Sequence, residues 1–251
     1  MKSHRILAGI LCIAAVASCD KNAVQQLPFE PVSGAQIKFF NFGLNAPGVN
    51  FYADNAKVGT TTDPLGVRYS FAAANGAYTA IAAGQYTFSG RIAAGTNKDT
   101  TIATVTTTVA DGKPYSLYMS GLYNPTTKTV DAFILDDTFS GTLNDSTAYV
   151  RFVNAIYNAQ PLNLYAANAF TNDTLSLGGA VAYQGAAAFT AIPTGIYNLF
   201  ARYTDSTTNK VTRTAQSFLG GHLYTITARG DITITSTTAT NRPFLDNTAN
   251  R

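Results

Sequence analysis

Residues 35–55 read AQIKFFNFGLNAPGVNFYADN and residues 148–168 read AYVRFVNAIYNAQPLNLYAAN. The two segments align without a gap at a constant offset, 148 − 35 = 113. Nine of the 21 positions are identical, among them Phe39/Phe152, Asn41/Asn154, Asn50/Asn163 and Tyr52/Tyr165, and Lys38/Arg151 keep a positive charge. A segment used twice at this distance means two similar domains in tandem, each long enough to bury a core without staples. The boundaries read as 35–140 and 148–251, joined by a link from Asp136 to Thr147.

Both domains break into short apolar or alternating runs separated by Gly, Asn, Asp and Pro, which is strand punctuation. In Ala35–Phe42 one face carries Ile37 and Phe39 and the other Phe40 and Phe42, so this strand is expected to be central. Val49–Ala53, Gln85–Arg91, Thr101–Val109, Pro114–Gly121 and Thr129–Leu135 follow, with Arg68–Phe71 and Tyr78–Ile81 as weaker strands. The second domain answers with Phe189–Ile192, Ile196–Tyr203, Val211–Phe218 and His222–Gly230, and Arg242–Asp246 reads as the counterpart of Ala132–Asp136. Seven or eight strands per domain, with turns every eight to twelve residues, predict an all-β fold of two tandem β-sandwiches, with a closed barrel as the alternative.

The first residues read as an address. Lys2, His4 and Arg5 precede an apolar run from Ile6 to Ala17 that is too short to span a bilayer. It ends in Val16-Ala17-Ser18-Cys19, which looks like a bacterial lipobox, so residues 1–18 read as a signal peptide and Cys19 as the lipidated first residue. Residues 19–34, with Pro28 and Pro31, read as a tether. Lipid chains on Cys19 would make the membrane a partner.

Charged residues make up 12% of the chain, about half the usual share, and a polar but uncharged surface suits a protein outside the cytoplasm. Without the signal segment, 17 − 2 = 15 basic residues face 14 acidic ones, and no basic stripe marks a nucleic-acid binder.

Four stretches of the second domain carry a family resemblance: Arg151-Phe-Val-Asn-Ala, Leu162-Asn-Leu-Tyr, Ile192-Pro-Thr-Gly-Ile-Tyr and Gly221-His-Leu-Tyr-Thr-Ile. Together they resemble the DUF4397 family, a domain of unknown function common in secreted and lipid-anchored bacterial proteins. The first domain follows the pattern more loosely, with Ala82-Ala83-Gly84 for the Pro turn and Lys38 for the Arg. The resemblance implies two Ig-like sandwich copies and an outer-membrane or surface lipoprotein of Bacteroidota type. It implies no catalytic residue and no cofactor.

The residues themselves give little chemistry. After the signal segment His222 is the only histidine, no Ser sits in a nucleophile elbow, and one His cannot build a His-rich metal site. Asp136 and Asp137 are strand neighbours that face opposite ways, and Asp111 and Asp131 could share a rim with Asp136. Asp-Ser/Thr sequences place possible O-glycosylation at Thr100, Ser146, Thr174 and Ser206, by resemblance to the Bacteroidota signal. Tyr69, Tyr118, Tyr123, Tyr157 and Tyr203 are the aromatics that could face solvent and stack on a sugar. Asn41 and Asn154, at equivalent strand ends, read as turn caps. The first expectation is therefore a non-enzymatic, lipid-anchored cell-envelope module that binds an envelope protein or acts as a spacer. A glycan-binding surface lipoprotein comes second and a hydrolase third.

Overall fold

The computed structural model describes residues 33–59 and 61–250, so the signal segment, Cys19 and most of the tether lie outside the described residues. Nine strands form the first half: β1 (Ala35–Leu44), β2 (Val49–Ala53), β3 (Ala56–Val58), β4 (Phe71–Ala72), β5 (Thr79–Ile81), β6 (Gly84–Ile92), β7 (Thr101–Val109), β8 (Pro114–Asn124) and β9 (Thr129–Asp136). Nine form the second: β10 (Thr147–Asn154), β11 (Leu162–Asn168), β12 (Thr174–Ser176), β13 (Gly185–Ala186), β14 (Thr190–Pro193), β15 (Gly195–Tyr203), β16 (Val211–Phe218), β17 (Leu223–Arg229) and β18 (Phe244–Ala249). There is no α-helix among the described residues.

Each half is an Ig-like sandwich of two sheets. In the first, β4-β1-β8-β9, with β5 also on β1, packs on β3-β2-β6-β7. In the second, β13-β10-β17-β18, with β14 on β10, packs on β12-β11-β15-β16. The fold is thus all-β and two-domain. Between the sheets of the first half Phe39 stacks on Phe51 at 5.2 Å and meets Phe88 at 6.1 Å. The second core is built around Phe152, Leu164, Leu199 and Ile226, each 0% exposed. Aligned sheets of this kind seal a core with alternate residues of each strand.

The shared motifs turn out to build turns. Asn41 donates to the Val67 carbonyl at 2.8 Å and accepts from the Gly43 amide at 3.1 Å. Its counterpart Asn154 donates to the Val181 carbonyl and accepts from the Ile156 amide, both at 3.0 Å. A buried amide that satisfies backbone on both sides stitches the strand end to the loop beside it. The Gly-x-x-Tyr motif works likewise. Gly112 and Gly221 hold φ of 68° and 74°, and the hydroxyls of Tyr115 and Tyr224 accept from the amides of Ala110 and Leu219, each at 3.1 Å. In Pro-x-Gly-x-Tyr, the Tyr197 hydroxyl donates to the Pro193 carbonyl at 2.9 Å.

Two strand expectations change. Residues Arg68–Ser70 form a turn, because Ser70 has φ of 71° and Arg68 is engaged with Asp63 at 2.9 Å; the strand begins at Phe71. Arg242–Asp246 is not the counterpart of Ala132–Asp136. Lys38 pairs with Ser116 and Arg151 with Thr225 on the parallel neighbours, so Ser116 answers Thr225. Those two face Leu135 and Thr248, so Leu135 answers Thr248, Phe133 answers Asp246 and Asp137 answers Asn250. The loop before β18 is longer than the turn before β9, and it shifts the true register away from the local likeness of the letters.

Candidate functional site: the seam between the sandwiches

β1 has nine of its ten residues buried, because it faces a core on one side and the other sandwich on the opposite side. Period-two alternation puts Ile37 and Phe39 inward and Lys38, Phe40 and Phe42 on the outer face. That outer face, with Tyr118 and Phe133, meets Val153 and Ala155 of the second sandwich in a closed apolar cluster. Tyr118, 1% exposed, stacks between Phe40 at 4.9 Å and Phe133 at 5.0 Å. Burial pushes its hydroxyl up to about 12. The packing is complementary rather than self-matching: large rings on the first sandwich stand opposite small residues on the second.

A polar network lies beside this cluster. Arg151 and Asp137, 3% and 1% exposed, form an ion pair between Nη2 and Oδ1. Arg151 also donates from Nη1 to the Asp136 carbonyl at 2.9 Å and from Nε to Thr225 Oγ1 at 3.0 Å. Asp137 Oδ2 accepts from Tyr78 at 2.8 Å and Ser116 at 2.6 Å. Every polar atom of this pair is therefore occupied, as a buried charge requires. Tyr78 is held far above its usual value, first by burial and then by the Asp137 charge.

Lys38 occupies the position in the first sandwich that Arg151 occupies in the second. It is 2% exposed, donates to the Ala249 carbonyl and to Asn250 Oδ1 at 3.4 Å, and sits 4.4 Å from the centre of the Tyr78 ring. No carboxylate among the described residues lies within ion-pair distance of it. Burial lowers its pKa to about 8, with Asp137 pulling the other way.

The opposite end of the seam is closed by tyrosines in equivalent positions. Tyr69 of the first sandwich accepts from Arg229 of the second at 3.5 Å. Tyr183 of the second shares a hydrogen bond with Ser120 of the first at 3.0 Å and donates to Asp131 at 3.0 Å. Next to the Arg151 end opens a cleft of about 600 Å³, lined by Gln36, Tyr78, Lys113, Asp137, Phe139 and Asn250 among others. Phe139 is held there by Tyr149 at 4.5 Å and Phe189 at 5.7 Å.

The residues singled out in the sequence are scattered. His222 is exposed, and its Nδ1 lies 2.8 Å from the Gly220 carbonyl. Asp111 accepts from the Gly34 amide at 2.5 Å, Asp131 from Tyr183 and Asp136 from Lys113 at 3.4 Å, so the three carboxylates serve separate partners. Tyr118 is buried in the seam, so the expectation that it could face solvent fails; Tyr69, Tyr123, Tyr157 and Tyr203 are half-buried, with Tyr123 and Tyr203 packed against the two cores. Ser146 and Thr174 are exposed, while Thr100 and Ser206 are half-buried. Among the described residues no three His, Cys, Asp or Glu side chains converge on a point. The seam was missed in the sequence reading. Its signal was present: a cation inside an otherwise apolar strand, at the same position in both copies.

Sandwich architecture and turn-building motifs define a tandem Ig-like module. The chain belongs to the DUF4397 family, a domain of unknown function, whose model matches residues 35–165. No curated protein matches the chain in sequence. Among solved structures, the Bacillus anthracis TIE protein is similar at 12% identity over 80% of this chain and 34% of its own, with a TM-score of 0.26. This chain thus spans about a third of that protein's length. A Bacteroides ovatus protein described as a candidate cell adhesion protein is similar at 11% identity over 87% of this chain and 96% of its own, with a TM-score of 0.22.

Proposed function

We propose that the chain is a lipid-anchored envelope protein in which two copies of the family domain, locked face to face, act as a non-enzymatic binding or spacer module. The observation that carries this reading is the seam. A buried ion pair in which every polar side-chain atom has a partner, set beside an apolar cluster, holds two sandwiches as one body, and stiffness is what a spacer or a presenting platform needs. The repeated β1–β8 and β10–β17 registers support a second copy of the family domain. The titratable groups of the cleft are committed to structure: Asp137 to Arg151, Tyr78 and Ser116, and Lys113 to Asp136. The lipobox-like Val16–Cys19 supports an outer-membrane anchor, periplasmic or surface-facing. The Cys19→Ala variant is expected to leave the membrane fraction for the soluble one; a variant still recovered with membranes would refute the anchor.

The cleft favours a second reading, a glycan-binding lipoprotein. Tyr78 and Phe139 offer ring faces, and Gln36 and Asn250 offer amides, a combination suited to polyhydroxylated ligands. On a glycan array the wild type would then be retained and Phe139→Ala would not. No retention of the wild type on any glycan would dismiss this second reading.

A further inference from the structure

The two ends of the polar seam network are related by the repeat, yet they hold different chemistry. In one, a cation on the first strand of the second sandwich (Arg151) meets the residue after the last strand of the first (Asp137). In the other, a cation on the first strand of the first sandwich (Lys38) meets the residue after the last strand of the second (Asn250). Guanidinium and carboxylate make a permanent ion pair, since Arg does not deprotonate in proteins. A carboxamide offers no charge to pair with the lysine, but the neutral form of the amine can react with it.

We propose that the Lys38 amine and the Asn250 carboxamide condense into an intramolecular amide that ties β1 of the first sandwich to the segment after β18 of the second. The geometry supports it. Lys38 Nζ lies 3.4 Å from Asn250 Oδ1, inside a seam where Lys38 is 2% exposed and covered by the Tyr78 ring. Asn250 is oriented at both ends: its backbone amide donates to the Leu223 carbonyl and its Nδ2 to Thr225 Oγ1, each at 2.8 Å. Holding reactants at contact distance supplies much of the barrier reduction that such a slow condensation needs. Burial favours the neutral, nucleophilic form of the amine and outweighs the opposing pull of the Asp137 charge. Asn250 also lines the cleft, which gives the leaving group a way out.

The step balances without an oxidant or cofactor. The Lys38 ammonium gives up one proton to water at the cleft, and the departing ammonia takes up one in return. Nζ attacks Asn250 Cγ, the Nζ–Cγ bond forms and the Cγ–Nδ2 bond breaks. A second proton passes from Nζ to Nδ2, which leaves as ammonia. The sum is an ammonium and a carboxamide giving a secondary amide and an ammonium ion. The linked residues are 212 positions apart, so the bond would close almost the whole two-domain body into a ring.

The test is peptide mass spectrometry of the full-length protein, unfolded and digested. The peptides bearing Lys38 and Asn250 are expected as one branched species, about 17 Da lighter than their sum. The wild type is also expected to run faster on a denaturing gel than Asn250→Ala or Lys38→Arg, the latter keeping the charge but lacking the nucleophile. Recovery of both peptides unlinked from folded wild-type protein, with Lys38 open to an amine-modifying reagent after denaturation, would overturn the proposal. So would a branched species that persists in either variant. Neither result depends on the anchor or on a ligand, so the envelope reading stands or falls separately.

Discussion

Replacing Arg151 with methionine is expected to cost about 3–5 kcal/mol of stability in denaturant-induced unfolding, the range for removing one partner of a buried ion pair. The loss comes mainly from what is left behind. Asp137 is 1% exposed and would retain only Tyr78 and Ser116 as donors, with its charge unopposed inside the seam. The Asp136 carbonyl and Thr225 would lose the donors that now reach them at 2.9 and 3.0 Å. The double variant Arg151→Met/Asp137→Leu is therefore expected to recover most of the loss, because no charge remains to be desolvated. A double variant as unstable as Arg151→Met alone would show that packing, and not the stranded carboxylate, sets the cost.

Tyr118→Ala is expected to be of similar size, about 3–5 kcal/mol, as for large aromatic truncations in a close-packed core. Tyr118 lies between Phe40 and Phe133 with Val153 and Ala155 across the seam. A cavity there would lie between the Phe40 and Phe133 rings, and the small Val153 and Ala155 across the seam cannot fill it. Chemical denaturation reads the loss directly. A cost near that of an exposed tyrosine would mean that the two sandwiches part easily in solution.

These two residues show where the sequence was legible and where it was not. The duplicated segment and the β-branched, turn-bounded runs Val49–Ala53, Thr101–Val109 and Val211–Phe218 led to strands with those same limits, because β-rich composition and turn residues are local signals. Asn41 and Asn154 were readable as structural because both sit at strand ends followed by turn residues. Tyr118 was not, because its neighbours Ser116 and Ser120 look like a solvent face. In the fold that face is covered by a second sandwich, and Ser116 is spent on Asp137. Asp137 looked like an ordinary linker carboxylate, and nothing near it in the chain announces Arg151, which arrives from β10. The Lys38–Asn250 contact depends on the register of β18, which the longer preceding loop hides. A polar residue on a seam differs from one on a surface only by what the other domain brings to it, and one strand's letters do not carry that.

The seam is expected to make the two sandwiches unfold together as one body. Scanning calorimetry of the wild-type protein tests this most directly: a single transition is expected, with matching calorimetric and van't Hoff enthalpies. Two resolved transitions, one for each sandwich, would contradict it.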